Sequence, residues 1–339
     1  MSGLEVSAAI GTLIVQVAQT RGVDPKALAA ATGFDPALGR DPDARIPLAL
    51  ETKLWDEASR RSGDDAFGLH AAELLRPGAF DVLDYAVRTA PDLRTALERL
   101  ARYNRLVHDA AVFRIGAPRD GLVRVEHGFR TGAARPGRHA SEFTIASLIT
   151  IGSQIAQAPI RAHAVAFHHG RPSEAVVAEH RRFFGLEPRF AESMNAIVFD
   201  VATLERPVPA ADPALSRIVE RHAEGLLAAR PEPQSAVADR VRSALTPLLA
   251  SGDASLKTVA AKLKMNTRTL QRKLADEGVT FDAIVDELRR DLAERYLADP
   301  RIAISEVAYL LGFSEPSPFH RAFKRWTGMS PSEARGRAA

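Results

Sequence analysis

Apolar residues recur at every third or fourth position over most of the chain, and at every second position in a few short stretches. The helical spacing marks residues 6–19, 49–62 and 95–107. Residues 112–115 and 122–125 flank Pro118-Arg119-Asp120-Gly121, the pattern of a strand–turn–strand hairpin. Residues 164–167 and 196–199 read as further strands, and 173–184 as a helix with Gly185 as its stop. The run 143–160 carries no charge, but Thr144, Ser147, Ser153 and Gln154 punctuate it and Pro159 ends it, which predicts a buried helix rather than a membrane span. Pro207, Pro209 and Pro213, then Pro231 and Pro233, bracket a helical pattern at 214–229. From Ser235 onward the pattern is helical with no strand signal. The pattern therefore predicts an α+β domain over 1–206, a connector over 207–234 and an all-α domain over 235–339.

The last domain contains a repeat. Leu256, Val259, Ala260 and Leu263 share one helical face, and so do Ile304, Val307, Ala308 and Leu311, 48 residues later at every position. A short turn follows each, Lys264-Met265-Asn266 and Gly312-Phe313-Ser314. Gly312 suits a helix exit, and Asn266 and Ser314 suit the cap of the next helix. In the second helices, Leu270 with Leu274, and Phe319 with Phe323, are spaced to pack on the first helix. The offset has grown to 49, so the second turn is one residue longer. Between the copies, Phe281, Ile284, Val285, Leu288, Leu292 and Tyr296 form one stripe, the mark of a rigid linker helix.

Two helix–turn–helix units on one scaffold can place two helices in successive major grooves, roughly 34 Å apart. The outward residues are Arg268, Thr269, Gln271 and Arg272 in the first copy, and Ser317, His320 and Arg321 in the second. Arginine pairs bidentately with guanine and glutamine with adenine, so these residue types suit base edges. Lys273, Lys324 and Arg325 suit phosphates, which position a protein without specifying sequence.

Composition changes this picture little but consistently. The chain has 339 residues, 46% hydrophobic and 26% charged, as a soluble protein of two or three domains does. Its net charge is only +3, yet from Pro233 onward there are 17 basic against 13 acidic residues, and before it 28 against 29. There is no cysteine, which excludes disulfides, thiolate catalysis and cysteine-held metals. No basic, cleavable leader precedes the apolar start, and a cytoplasmic location is expected. No phosphate loop, dinucleotide fingerprint, nucleophile elbow or zinc-protease motif occurs, so no catalytic residue, metal or cofactor is expected.

The segment Gly312-Phe313-Ser314-Glu315-Pro316-Ser317-Pro318-Phe319-His320-Arg321-Ala322-Phe323-Lys324-Arg325-Trp326-Thr327-Gly328-Met329-Ser330-Pro331 resembles the signature of the AraC/XylS family of transcription regulators. The resemblance spans about 235–335. It implies that Arg268, Gln271, Arg272, Pro316, Ser317, His320 and Arg321 face bases and that Phe323 and Trp326 are core. Pro316 and Pro318 both sit at the start of the second reading helix; if Pro318 opens it, Ser317 is its cap. Residues 1–206 resemble the effector domain of one branch of this family, named for arabinose binding. The matching pieces are Asp43-Ala44-Arg45-Ile46-Pro47-Leu48, Leu83-Asp84-Tyr85-Ala86-Val87, His180-Arg181-Arg182-Phe183-Phe184-Gly185 and Asn195-Ala196-Ile197-Val198-Phe199-Asp200. That likeness implies a sensor of a small amphipathic or carboxylate-bearing molecule.

The expected function is thus sequence-specific transcription regulation in response to a small-molecule effector. The expected partners are an operator in double-stranded DNA, RNA polymerase and a second copy of the chain, with no membrane. The alternative is a ligand-independent architectural DNA-binding protein, which the large, nearly neutral first domain argues against. An activator is expected, while the residues themselves leave activation and repression open. Tyr85, Tyr103, Arg105, His108, Arg138, His139, Glu142, His168 and His169 are the polar side chains weighed as ligand contacts, each read first as structural.

Overall fold

The computed structural model describes residues 4–129, 135–230, 237–249, 253–276, 279–297, 302–327 and 329–338. These fall into two compact units, one made of residues 4–129 and 135–230, the other of the described residues from 237 onward. The second proline pair, Pro231 and Pro233, the expected boundary at 234–235, and Gly328 lie outside the described residues.

The first unit opens with a two-stranded antiparallel ribbon, β1 (Glu5–Ser7) and β2 (Arg45–Pro47). Around it stand the helices α1 (Ala8–Thr20), α2 (Pro25–Thr32), α3 (Leu48–Ser62), α4 (Phe67–Glu73), α5 (Asp81–Arg88) and α6 (Leu93–Tyr103). Then come β3 (Ala111–Ile115), β4 (Leu122–Phe129), α7 (Arg138–Ala156), β5 (Ala164–Ala166), α8 (Glu174–Phe184), β6 (Asn195–Asp200), α9 (Val201–Leu204) and α10 (Pro213–Ala229). The last four strands form one antiparallel sheet in the order β3-β4-β6-β5.

Local chemistry explains the boundaries. Asp24, Asp92 and Asp212 each accept a backbone N–H of the helix they precede, and Pro25 and Pro213 sit at first-turn positions where no N–H is missed. Gly185 ends α8 in the left-handed conformation, as its place after Phe184 predicts. The uncharged run forms most of α7, which is buried against α4; a Cβ on Gly68 would collide with the His139 carbonyl, so that helix pair requires glycine there. Alternate residues of β4 face inward: Val123, Val125 and His127. The helix expected in the connector, α10, packs on α5 and α6 of this unit.

Arg45 and Arg230 fasten the turn after α6. Arg45 donates to the carbonyls of Leu106 and Glu5 and to Asp109 Oδ1 at 2.9 Å, and Arg230 donates to the carbonyls of Arg105 and Leu106. Burial and the neighbouring Arg230 charge lower the Arg45 pKa to about 10.

The second unit is helical throughout its described residues: α11 (Val237–Leu249), α12 (Leu256–Lys262), α13 (Thr267–Asp276), α14 (Phe281–Leu297), α15 (Ile304–Leu310), α16 (Pro316–Thr327) and α17 (Pro331–Ala338). It has two small cores. One joins Val241, Leu245, Val259, Leu270, Leu274 and Ile284; the other joins Ala293, Val307, Leu311, Phe319 and Phe323. Leu292 of α14 touches both, so the linker helix is the shared wall.

Candidate DNA-reading surface and effector cavity

Each repeat folds as a helix, a turn and a second helix whose buried side faces inward. Val259, Ala260, Leu270 and Leu274 are buried in the first copy, and Val307, Ala308, Phe319 and Phe323 in the second. The turns are closed by the same device. Met265 N–H reaches the Ala260 carbonyl in one, and Phe313 N–H the Ala308 carbonyl in the other. The residues 48 apart at the exit are Lys264 and Gly312, both left-handed, with φ of 55° and 75°. Glycine takes that conformation freely and lysine does so at some cost, so the first copy carries strain the second avoids.

The caps differ. Asn266 Oδ1 accepts the Thr269 N–H at 2.7 Å. Ser314 makes no such bond among the described residues, and α16 begins at Pro316, not Pro318. Ser317 therefore lies in the first turn instead of capping it, and both prolines occupy positions where a helix has no N–H partner to lose. Replacing Asn266 by alanine should lower the stability of the first reading helix by about 1 kcal/mol. Chemical denaturation of the full chain would register it, and an unchanged midpoint would contradict the capping role.

The outward faces are as the spacing predicts. Arg268, Gln271, Arg272 and Lys273 are exposed on α13, with Thr269 half-buried. On α16, Ser317, His320, Arg321 and Lys324 are exposed and Pro316 is half-buried. The side chains of Arg268, Gln271, Arg272, His320 and Arg321 make no hydrogen bond or ion pair among the described residues. His320 rests its ring edge-on against Phe319. Arg325 is exposed too, but it binds Asp286 of α14 at 2.8 Å, which ties the second reading helix to the linker. Arg289 of the same linker donates to the Leu311 carbonyl and stacks over Phe313, 4.6 Å from the ring centre.

The first unit contains a partly open cavity of about 130 Å³, walled mainly by α3, α5, α6, α7, β3 and β4. Its lining is mainly aliphatic and aromatic, and its polar side chains are Glu51, Asp84, Asn104, His108, His127, Thr144 and Ser147. Of the residues weighed from sequence, only His108 reaches it. Tyr85 is exposed, Tyr103 is buried with its hydroxyl 3.4 Å from Glu224, and Arg105 binds carbonyls of α10 and of Arg230. His168 is held by Asn195.

Arg138, His139 and His169 instead surround Glu142, which is fully buried with His180 Nε2 3.2 Å from its Oε1. His180 Nδ1 is committed to the Val176 carbonyl at 2.8 Å, which leaves Nε2 facing the carboxylate. No group of three or more histidine, aspartate or glutamate side chains suited to a metal occurs among the described residues. Likewise no helix among them is long and apolar enough to cross a membrane.

Sequence reasoning passed over Glu51 and His127. Both carried a faint signal, a charge or an imidazole in line with apolar neighbours: His127 continues the inward stripe of Val123 and Val125.

Paired helix–turn–helix units with free polar faces, in a chain that also carries a small-molecule cavity, define an effector-responsive DNA-binding transcription regulator. Residues 22–208 match the arabinose-binding domain of AraC transcription regulator, N-terminal, and residues 236–337 match a helix-turn-helix domain family. The chain belongs to the AraC family of transcription regulators. It is similar along nearly its whole length to three regulators. The ornithine utilization regulator of Pseudomonas aeruginosa is 29% identical, with 97% of this chain and 96% of that protein covered. The HTH-type transcriptional regulator VirS of Mycobacterium tuberculosis is 28% identical, with 93% and 91% covered. An uncharacterized HTH-type regulator of the same species is 30% identical, with 95% and 93% covered.

Proposed function

We propose that this regulator reads its operator through Arg268, Thr269, Gln271 and Arg272 of α13 and through Pro316, Ser317, His320 and Arg321 of α16. Lys273, Lys324 and Arg325 hold phosphates on either side. One observation carries the reading: at equivalent places in two copies of one unit, long polar side chains stand exposed and uncommitted while the opposite face is buried. A face free of intramolecular partners meets base edges without first breaking bonds.

The effector occupies the cavity of the first unit. Its binding shifts the free energy of the DNA-competent arrangement, a coupling between two sites that works in both directions. The regulator acts in the cytoplasm as an activator that engages RNA polymerase, with a second copy of the chain on DNA. The cavity favours this over a purely architectural role, since coating DNA needs no small-molecule pocket.

Genome-wide mapping of bound sites tests the DNA reading and supplies the operator; binding spread evenly over the genome would sink it. On that operator, Lys324→Ala should weaken matched and scrambled duplexes alike and make the salt dependence shallower by about one counterion. A loss confined to the matched duplex would move Lys324 from the phosphates to the bases.

A further inference from the structure

Among the described residues, neither arginine nor lysine lines the cavity. Arg88, the nearest by bonding, is turned to Asp84 Oδ2 at 2.7 Å and to Gln154 at 2.9 Å. Each polar side chain of the wall can then be assigned by what it has already donated or accepted.

Glu51 accepts from Trp55 Nε1 at 3.1 Å and lies 3.3 Å from His108 Nε2. His108 Nδ1 accepts two backbone N–H groups, those of Ala110 and Ala111, so its only ring proton is on Nε2 and points to Glu51. The hydroxyls of Thr144 and Ser147 donate to carbonyls one turn back in α7. Asp84 Oδ1 is buried with no partner. These groups are acceptors or spoken-for donors, and two are carboxylates.

His127 is different. Asn195 Oδ1 accepts the His168 backbone N–H, which fixes that amide: its nitrogen is the donor, to Ser141 Oγ at 3.1 Å and to His127 Nδ1 at 3.5 Å. His127 therefore carries its proton on Nε2. No partner within the described protein takes it, and that atom is not among the fully buried unpaired ones. Burial, with His108 and His168 nearby, lowers the His127 pKa to about 3, so the ring is neutral at physiological pH. Its ring lies against Phe113, its cross-strand partner, with centres 5.0 Å apart. The other neutral donor is the second hydrogen of the Asn104 amide, whose first goes to the Ala111 carbonyl.

We infer that the effector is an uncharged, mainly hydrocarbon molecule whose one oxygen-bearing head group, an alcohol or amide, accepts from His127 Nε2–H. This rests on the reading that the cavity is the effector site; of the amphipathic or carboxylate-bearing molecule that the resemblance implied, it keeps the first and departs from the second. An ionised carboxylate entering this wall would be desolvated, find only neutral donors and face Glu51. An ammonium would find Asp84 Oδ2 already taken by Arg88 and the Gly78 N–H, and Glu51 engaged with Trp55 and His108, which leaves it Asp84 Oδ1 as a single carboxylate oxygen. A hydroxyl or amide both accepts from His127 and donates to the leftover acceptors, at no charge-desolvation cost.

The test uses the full-length protein at pH 7.5 and probes alike in chain but not in head: 1-decanol, decanamide, decanoate and decylamine, all below micellar concentration. Calorimetric titration and thermal shift should show decanol or decanamide binding roughly tenfold or more tighter than either ion. His127→Phe keeps the ring packing and should weaken the neutral probes about three- to tenfold, with much of the loss restored in His127→Gln, which regains a donor. If His127→Phe proves unfolded, the head-group ranking on the native protein still decides. Tighter binding of decanoate or decylamine would overturn the head-group inference and leave the cavity as the effector site. No binding by any probe, or affinities unmoved when Ala96→Leu fills the cavity wall, would overturn both.

Discussion

Operator affinity should fall by roughly 5- to 150-fold when either Arg272 or Arg321 is replaced by alanine, the equivalent of about 1–3 kcal/mol each. Both side chains are exposed and make no bond in the protein among the described residues, so their removal leaves the fold intact. Surface substitutions of that kind change stability by within about 0.5 kcal/mol. The cost should appear on DNA alone, as a relaxed preference at particular base pairs. The two sites sit on different helices with different cores, so the double variant should lose close to the sum. Fluorescence anisotropy with the mapped operator and single-base variants of it measures both effects. Equal losses on all sequences would show that the arginines hold phosphates instead.

Phe323→Ala is expected to remove the second reading unit altogether. Phe323 is fully buried, and its ring centre lies 5.8 Å from that of Phe319. Phe319 in turn meets Phe313, which meets Trp326. Truncating such a ring costs about 3–5 kcal/mol, because the void left behind collapses only in part. This core has few members to share the damage. Its fully buried residues are Ala293, Leu297, Val307, Ala308, Leu311, Phe319 and Phe323. Loss of α16 would leave α13 to hold the operator alone, and affinity should fall further than for Arg321→Ala. Trp326 lies in this core and reports its unfolding by fluorescence. Native-like emission and full operator affinity in Phe323→Ala would contradict the packing described.

The reading helices were legible because they obey local rules. Leu270 with Leu274 and Phe319 with Phe323 repeat at one turn, which dictates the buried side and hence the free one. Asn266 announces a cap that the structure forms at 2.7 Å. Local rules also had limits here. Pro316 and Pro318 are both acceptable first-turn residues, and only the backbone places the start of α16 at the former. The ribbon of β1 and β2 went unseen because three-residue strands have no measurable period and their pairing spans some forty residues. Helices α4 and α5 are short and earn their stability from α7 and α6, not from propensity.

The sequence by itself determined the two-part layout, the repeat with its 48-residue offset, and which side chains of α13 and α16 face away from the core. Those properties depend on spacing along one helix. Tertiary structure alone decided the cavity and its chemistry, because Glu51, Asn104, His127 and Ser147 come from separate elements and meet only when α3, α6, α7 and the sheet close around one space. Periodicity says which face of an element is apolar; it carries no information about which apolar faces will meet, or which polar atom each of them leaves without a partner.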